Sequence, residues 1–235
     1  KRSCYKNGSN IFTSIKNEYF KRVMKLFNHR KFYDRDSLSI EDIGDNPINF
    51  FIKWFKDAEK SDKIIEANAM TVSTVDKNNS PSSRMVLLKE IKDRSLIFFT
   101  NYKSKKGQDI DDNPNICASF YWPPLERQVI LKGIAKKCSE NYSEAYFKSR
   151  PFKSQVSAII SNQSQIISSY DELLKRYDKF LEENKNSDLK KPTYWGGVEI
   201  FIEEIEFWQG RENRLHNRVV CSFINNKWET KLLSP

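Results

Sequence analysis

From residue 69 onward, apolar and polar residues alternate with a period of two in one short stretch after another, and this pattern most constrains the fold. Successive strand side chains point to opposite faces, so the alternation marks strands with one buried face. Strands are expected at 70–75, 83–89, 96–100, 115–122 and 127–136, with turns at 76–80 and at Asp93-Arg94. A second group follows at 198–208, 214–224 and 227–233, its last two strands joined at Asn225-Asn226. Connections this short argue for an antiparallel sheet or barrel. Helices fill the intervals. Asn46 and Pro47 read as cap and first residue of a helix whose stripe Phe50, Phe51, Trp54, Phe55 and Ala58 faces the core. A short helix is expected at 105–112, another at 139–149 capped by Ser139, a third from Pro151, and a charged surface helix at 171–183. The class is mainly β with flanking helices (α+β), and residues 47–235 read as one domain.

Charge and cysteines narrow the function. The net charge of +9 invites a polyanion partner, but residues 1–28 hold seven Lys/Arg against one acid, Glu18. The rest of the chain is only mildly basic, so a nucleic-acid face is not demanded. Ile11, Phe12, Ile15, Tyr19, Val23 and Phe27 recur at helical spacing within that basic segment. It reads as a packing helix, part of a longer precursor, or a targeting segment. No apolar run reaches membrane-spanning length. Cys4, Cys117, Cys138 and Cys221 form no C-x-x-C pair, and His29 and His216 are the only histidines, so no metal site is expected. Reduced thiols and a cytoplasmic location are the simplest expectation, with an organellar address left open for the basic segment. No G-x-G-x-x-G supports a dinucleotide fold.

Two stretches offer anion chemistry. On a strand running from 214, Arg214, His216 and Arg218 would share one face, with Leu215 and Val219 on the other. Arginine forks suit carboxylate and phosphate; the alternative is a solvated hairpin face. Near the corner at Pro151, Tyr146 and Arg150 end one helix and Ser154 opens the next, an arrangement that could cradle a phosphate or be an ordinary helix corner. Arg84 and Lys89 are five apart and would face opposite sides of a regular strand. Either the strand bends or the two serve different ends of a ligand.

Trp208-Gln209-Gly210 followed by Arg214-Leu215-His216-Asn217-Arg218 resembles the C-terminal signature of the pyridoxamine/pyridoxine 5'-phosphate oxidases, W-Q-G-x-x-x-R-L-H-D-R, with Asn217 in place of the usual Asp. The resemblance runs in order from about Arg30 to Pro235. It includes Arg84-Met85-Val86-Leu87-Leu88-Lys89, Phe99-Thr100-Asn101, Ser104-Lys105-Lys106, Leu125 to Val129, Ser149-Arg150-Pro151 with Ser154, and Gln163-Ser164. Arg30 and Tyr33 match an R-x-x-Y element.

The resemblance implies an antiparallel FMN-binding split barrel over 47–235, with 1–46 as a basic extension that includes a substrate-covering segment. It implies FMN contacts from Arg84, Met85, Val86, Leu87, Leu88, Lys89, Phe99, Thr100, Lys105, Lys106, Gln128, Gln163, Ser164, Trp208 and Arg218. In the family some of these come from a second subunit, which implies a homodimer with FMN at the interface. Lys89, Tyr146, Arg150 and Ser154 would hold the substrate phosphate. Arg214, Leu215 and His216 would lie over the pyridine ring, and Arg30 and Tyr33 would form a mobile cover. The implied reaction oxidises pyridoxine or pyridoxamine 5'-phosphate to pyridoxal 5'-phosphate by hydride transfer to FMN, with O2 reoxidising the flavin to H2O2. Arg214 and His216 are the implied catalytic pair. Arg214 is cast as orienting and charge-stabilising, because a guanidinium does not readily surrender its proton. The side chain of Asn217 is expected to face away from Arg214 and Arg218. A flavin reductase is the nearest alternative, but it has no need of a second phosphate site. A non-catalytic module binding nucleic acid or pyridoxal phosphate is the third.

Overall fold

One strand organises the sheet. In the computed structural model, which describes residues 26–185 and 187–235, β7 (Trp195–Gln209) is the longest strand. Its whole length from Val198 to Gln209 pairs with β6 (Arg127–Lys137). Its other edge is divided. The N-terminal half pairs with β4 (Ser95–Asn101), and the C-terminal half pairs with β8 (Asn217–Ile224), which pairs in turn with β9 (Lys227–Leu233). Beyond β6 lie β5 (Asn115–Trp122), β1 (Ala69–Val75) and β2 (Pro81–Leu87), while β3 (Glu90–Lys92) flanks β4. Every pairing is antiparallel. The sheet curls, so that Lys89 just past β2 donates its N–H to the Ile97 carbonyl of β4 at 2.8 Å.

The alternation read from the sequence is the burial pattern of β1 and β5, whose inward residues Met70, Val72, Ile116, Ala118 and Phe120 are buried. Two helices precede the sheet, α1 (Ile40–Ile43) and α2 (Pro47–Glu59). Asn46 caps α2 by accepting the Ile48 N–H at 3.0 Å, with Pro47 at the first helical position, as expected. The buried stripe of α2 packs rings against the sheet: Phe51 on Phe120 and Trp54 on Phe207, with centroids 5.3 and 5.4 Å apart.

A second apolar cluster lies under three further helices, α4 (Glu140–Ser149), α5 (Phe152–Ile160) and α6 (Tyr170–Glu183), while α3 (Lys105–Asp112) follows β4. Phe147, Val156, Ala158, Leu189 and Trp195 are its buried members. Ser139 caps α4, and Pro151 sits at the start of α5. No residue of α6 is buried, in keeping with its charged sequence.

Two boundaries differ from the sequence reading. The strand expected from 214 begins at Asn217, because Asn213 and Arg214 take left-handed backbone (φ 55° and 63°) within a 3-10 turn, Glu212–Arg214. Arg214, His216 and Arg218 therefore do not alternate along a strand, and Leu215 is exposed. The strand expected to reach residue 89 ends at Leu87.

The chain divides into compact units Lys1–Phe32 and Tyr33–Pro235. In the first, the His29 N–H closes a turn onto the Leu26 carbonyl, and Arg30 is exposed. The helical pattern read over residues 11–27 falls almost entirely outside the described residues. Among the described residues no helix is long and apolar enough to cross a membrane, and no three metal-ligating side chains converge.

Candidate functional site

A cavity of about 600 Å³ opens between the ends of β2 and β4 and the corner joining α4 to α5. The break after Leu87 explains how one motif serves two places. Lys89 lines the cavity, whereas the Arg84 guanidinium is engaged by the strands, donating to Thr74 Oγ1 at 2.7 Å and Ser82 Oγ at 2.6 Å. Asp109 of α3 lies 3.8 Å from the same guanidinium.

Of the residues singled out from the sequence, Met85, Val86, Leu87, Lys89, Phe99, Thr100, Lys106, Tyr146, Arg150, Ser154 and Gln163 line this cavity. Arg84, Leu88, Lys105 and Ser164 are not among its lining residues. Leu88 is buried in the core, and Lys105 is held by Asp76 and Asp109. Among the described residues, the lining holds three cationic side chains, Lys89, Lys106 and Arg150, and no carboxylate.

Two of those cations have unusual surroundings. Among the described residues, Lys106 Nζ hydrogen-bonds only neutral oxygens: Gln163 Oε1 at 2.9 Å, and the Thr100 and Ser104 hydroxyls at 3.2 Å. Burial, and then the nearby Arg84 charge, push its pKa down to about 8. Arg150 Nη1 is buried with no hydrogen-bond partner among the described residues, and burial lowers the pKa of its guanidinium as well. A buried guanidinium nitrogen left unpaired costs about 1–3 kcal/mol or more, so the site is built for an acceptor that arrives with a ligand.

The wall opposite is aromatic. Phe99 stacks on Tyr146 with centroids 3.7 Å apart, and Trp195 lies parallel to both. The Arg150 guanidinium sits 4.6 Å over the Trp195 ring, which fixes the plane of its fork. Trp195, Asn101, Ser157 and Ser161 are cavity residues that the sequence reading missed. Trp195 arrives there because β7 pairs it with Asn101, and the following Gly196-Gly197 admits Tyr102 and Cys138 where any Cβ would collide. The Trp-Gly-Gly start of a long strand was the available signal.

The remaining candidates gather elsewhere. Register aligns Tyr121, Gln128, Trp208 and Arg218 in one row across β5, β6, β7 and β8. His216 packs on Trp208 (4.7 Å between centroids), and Tyr33 stands edge-on to both at 5.7 and 5.5 Å. Gly210 makes room for Tyr33, since a Cβ there would lie 2.5 Å from its ring. The Arg211 N–H donates to His216 Nδ1 at 3.0 Å, which places the proton of neutral His216 on Nε2. Burial, and then Arg214, lower the His216 pKa, so the neutral ring prevails at pH 7. Arg214 and Leu215 lie exposed on the turn just before it. Arg218 gives Nε and Nη2 to Glu206, both at 2.8 Å. Asn217 Oδ1 accepts the Leu38 N–H at 3.2 Å, an engagement away from the two arginines.

A curled antiparallel sheet whose long strand divides its partners, with a cation-lined cavity at one end, forms a split barrel. Residues 57–182 match the family described as pyridoxamine 5'-phosphate oxidase, and residues 195–235 match the pyridoxine 5'-phosphate oxidase C-terminal dimerisation region. The chain belongs to the pyridoxamine 5'-phosphate oxidase family, and is accordingly an oxidase with FMN as cofactor. A pyridoxine/pyridoxamine 5'-phosphate oxidase of Leptospira interrogans is 44% identical over 90% of this chain and 99% of its own length. One from Flavobacterium psychrophilum is 47% identical over 89% and 99%. Among solved structures, PhzG from Burkholderia lata, in complex with tetrahydrophenazine-1-carboxylic acid, superposes with a TM-score of 0.79 at 25% identity, covering 85% of this chain and 98% of that one. An FMN-binding protein from Nostoc punctiforme shares the fold at a TM-score of 0.66 and 14% identity, covering 82% of this chain and all of its own.

Proposed function

We propose that the chain oxidises pyridoxine 5'-phosphate and pyridoxamine 5'-phosphate to pyridoxal 5'-phosphate, as a homodimer with its FMN sites at the subunit interface. The observation that carries this reading is the cavity with three cations, no carboxylate and a buried, unpartnered Arg150 nitrogen. Its volume lies within the range of small-molecule sites. Buried cations facing no acid fit phosphate groups, and both FMN and the substrate carry one.

Thr100, Lys106 and Gln163, already hydrogen-bonded together, would hold the flavin phosphate end. Lys89, Tyr146, Arg150 and Ser154 would hold the substrate phosphate, with Arg150 supplying the donor that now lacks an acceptor. When bound, FMN supplies the redox chemistry, taking a hydride from the substrate and passing the electrons to O2 to give H2O2. His216 would offer its Nε2 proton as a neutral donor to the substrate ring, and Arg214 would balance charge that builds there. Neither group needs to act as a base.

In this reading the two groups come from different chains. Phe99 pairs with Gly197 and Gln128 pairs with Trp208, at opposite ends of β7. Eleven residues of strand separate the two positions, roughly 35 Å of extended backbone. A site that uses both ends takes the cavity from one chain and the Trp208–His216 end from another. The match to a dimerisation region over 195–235, the part that carries that end, supports this arrangement.

The test is anaerobic addition of pyridoxine 5'-phosphate to the purified FMN-loaded protein. The flavin absorbance bands are expected to bleach and to return on admitting air. Bands that stay unchanged would reject the assigned substrate.

A further inference from the structure

The segment between Tyr33 and α1 crosses the turn that carries His216 and is pinned there by hydrogen bonds. The Arg35 N–H donates to Glu126 Oε2 at 3.2 Å. The Asp36 carbonyl accepts from Arg211 Nη1 at 2.8 Å, and the Asp36 carboxylate pairs with Arg127. The Leu38 N–H ends on Asn217 Oδ1, and the Leu38 side chain is buried. Arg211 is therefore bonded twice over, its backbone N–H to His216 and its guanidinium to the strap. Asn217 stands between His216 and Arg218 and reaches the strap with its side chain.

We propose that Arg211 and Asn217 are positioning residues for the substrate site: they tie the 33–38 strap to the turn bearing His216, and so hold the Tyr33 ring against His216 and Trp208. This deepens the proposed function and rests on Tyr33 and His216 belonging to the substrate site. Neither tie touches the ligand. Each removes freedom from Tyr33 that binding would otherwise have to remove, so their loss weakens substrate capture more than turnover. Asn217 needs only an acceptor oxygen for the task. A carboxylate at the same position would serve equally, because the Leu38 N–H is the donor.

The experiment compares wild-type FMN-loaded protein with Asn217→Ala, Asn217→Asp and Arg211→Ala variants. It reads amide hydrogen exchange across 34–39, together with kcat and KM for pyridoxine 5'-phosphate. Losing one such hydrogen bond in Asn217→Ala is expected to raise KM about fivefold to tenfold, with kcat within about twofold. Exchange at Leu38 accelerates in the same variant. Asn217→Asp restores both values, and Arg211→Ala speeds exchange at the Asp36 end of the strap. Unchanged exchange and KM in Asn217→Ala would overturn the proposal, as would an Asn217→Asp variant as impaired as the alanine. The exchange comparison decides the tie even on protein that fails to oxidise pyridoxine 5'-phosphate, a failure that would count against the proposed function instead.

Discussion

Arg150 carries an energetic conflict that a ligand would resolve. Its Nη1 is buried without an acceptor while the rest of the fork lies on Trp195. Replacing it with leucine keeps apolar bulk and removes the unpaired charge. Arg150→Leu is expected to lower kcat/KM for pyridoxine 5'-phosphate by about tenfold to a hundredfold, the worth of charge-assisted hydrogen bonds. The melting temperature of the ligand-free protein should hold or rise, as is common when function maintains strain. Lys106 gives a pH dependence. Its folded pKa of about 8 lies below the ordinary 10.5, so folding disfavours the charged form. Ligand-free stability then rises as pH climbs from about 8 toward 10.5, and the gain is lost as pH falls back through 8. A flavin phosphate needs the charged form, so FMN affinity should fall as pH rises through about 8. Titration calorimetry at several pH values checks this, and Lys106→Gln should flatten the curve.

At the scale of elements, what was legible depended on how local the cause is. The caps at Asn46 and Ser139 and the alternation of β1 and β5 are written in neighbouring residues, and they came out where expected. β4 was expected at 96–100 and spans Ser95–Asn101 although nearly every residue of it is buried, whereas β3, Glu90–Lys92, is too short to show a period-two pattern and was not expected. The turn at Asn213 and Arg214 resisted reading because the Arg211–His216 bond, formed across the loop, helps stop the strand. The cavity side chains were recognisable by type through their motifs. Trp195 was not, because its place comes from pairing with β4 and from the helices packed over it. Register also makes β6 intolerant at one point. Gly133 sits at the bulge where β6 meets β7, and a Cβ there would lie 1.9 Å from the Phe201 carbonyl oxygen. Gly133→Ala must push the two strands apart, at a cost of about 1–3 kcal/mol or more. A thermal melt of the purified variant should show a clearly lowered midpoint, with Trp208 and His216 displaced and oxidation slowed.

At the scale of the whole molecule, the proposed site is divided into two halves carried by opposite ends of one strand. β7 carries the cavity end at Trp195 and the Trp208 row at the other, and its length keeps them apart. Two-fold pairing of identical chains would bring the cavity of each against the row of its partner, giving two equal sites per dimer. Complementation between defective chains tests this assembly most directly. Arg150→Ala disables the cavity half, and His216→Ala disables the other half. Each variant alone should oxidise pyridoxine 5'-phosphate poorly. After unfolding and co-refolding in equal amounts, half the dimers are hybrids, and each hybrid holds one site with neither substitution. Activity should then recover to roughly a quarter of wild type, the share of intact sites in random pairing. Activity that stays at the level of the separate variants would contradict a site shared between chains.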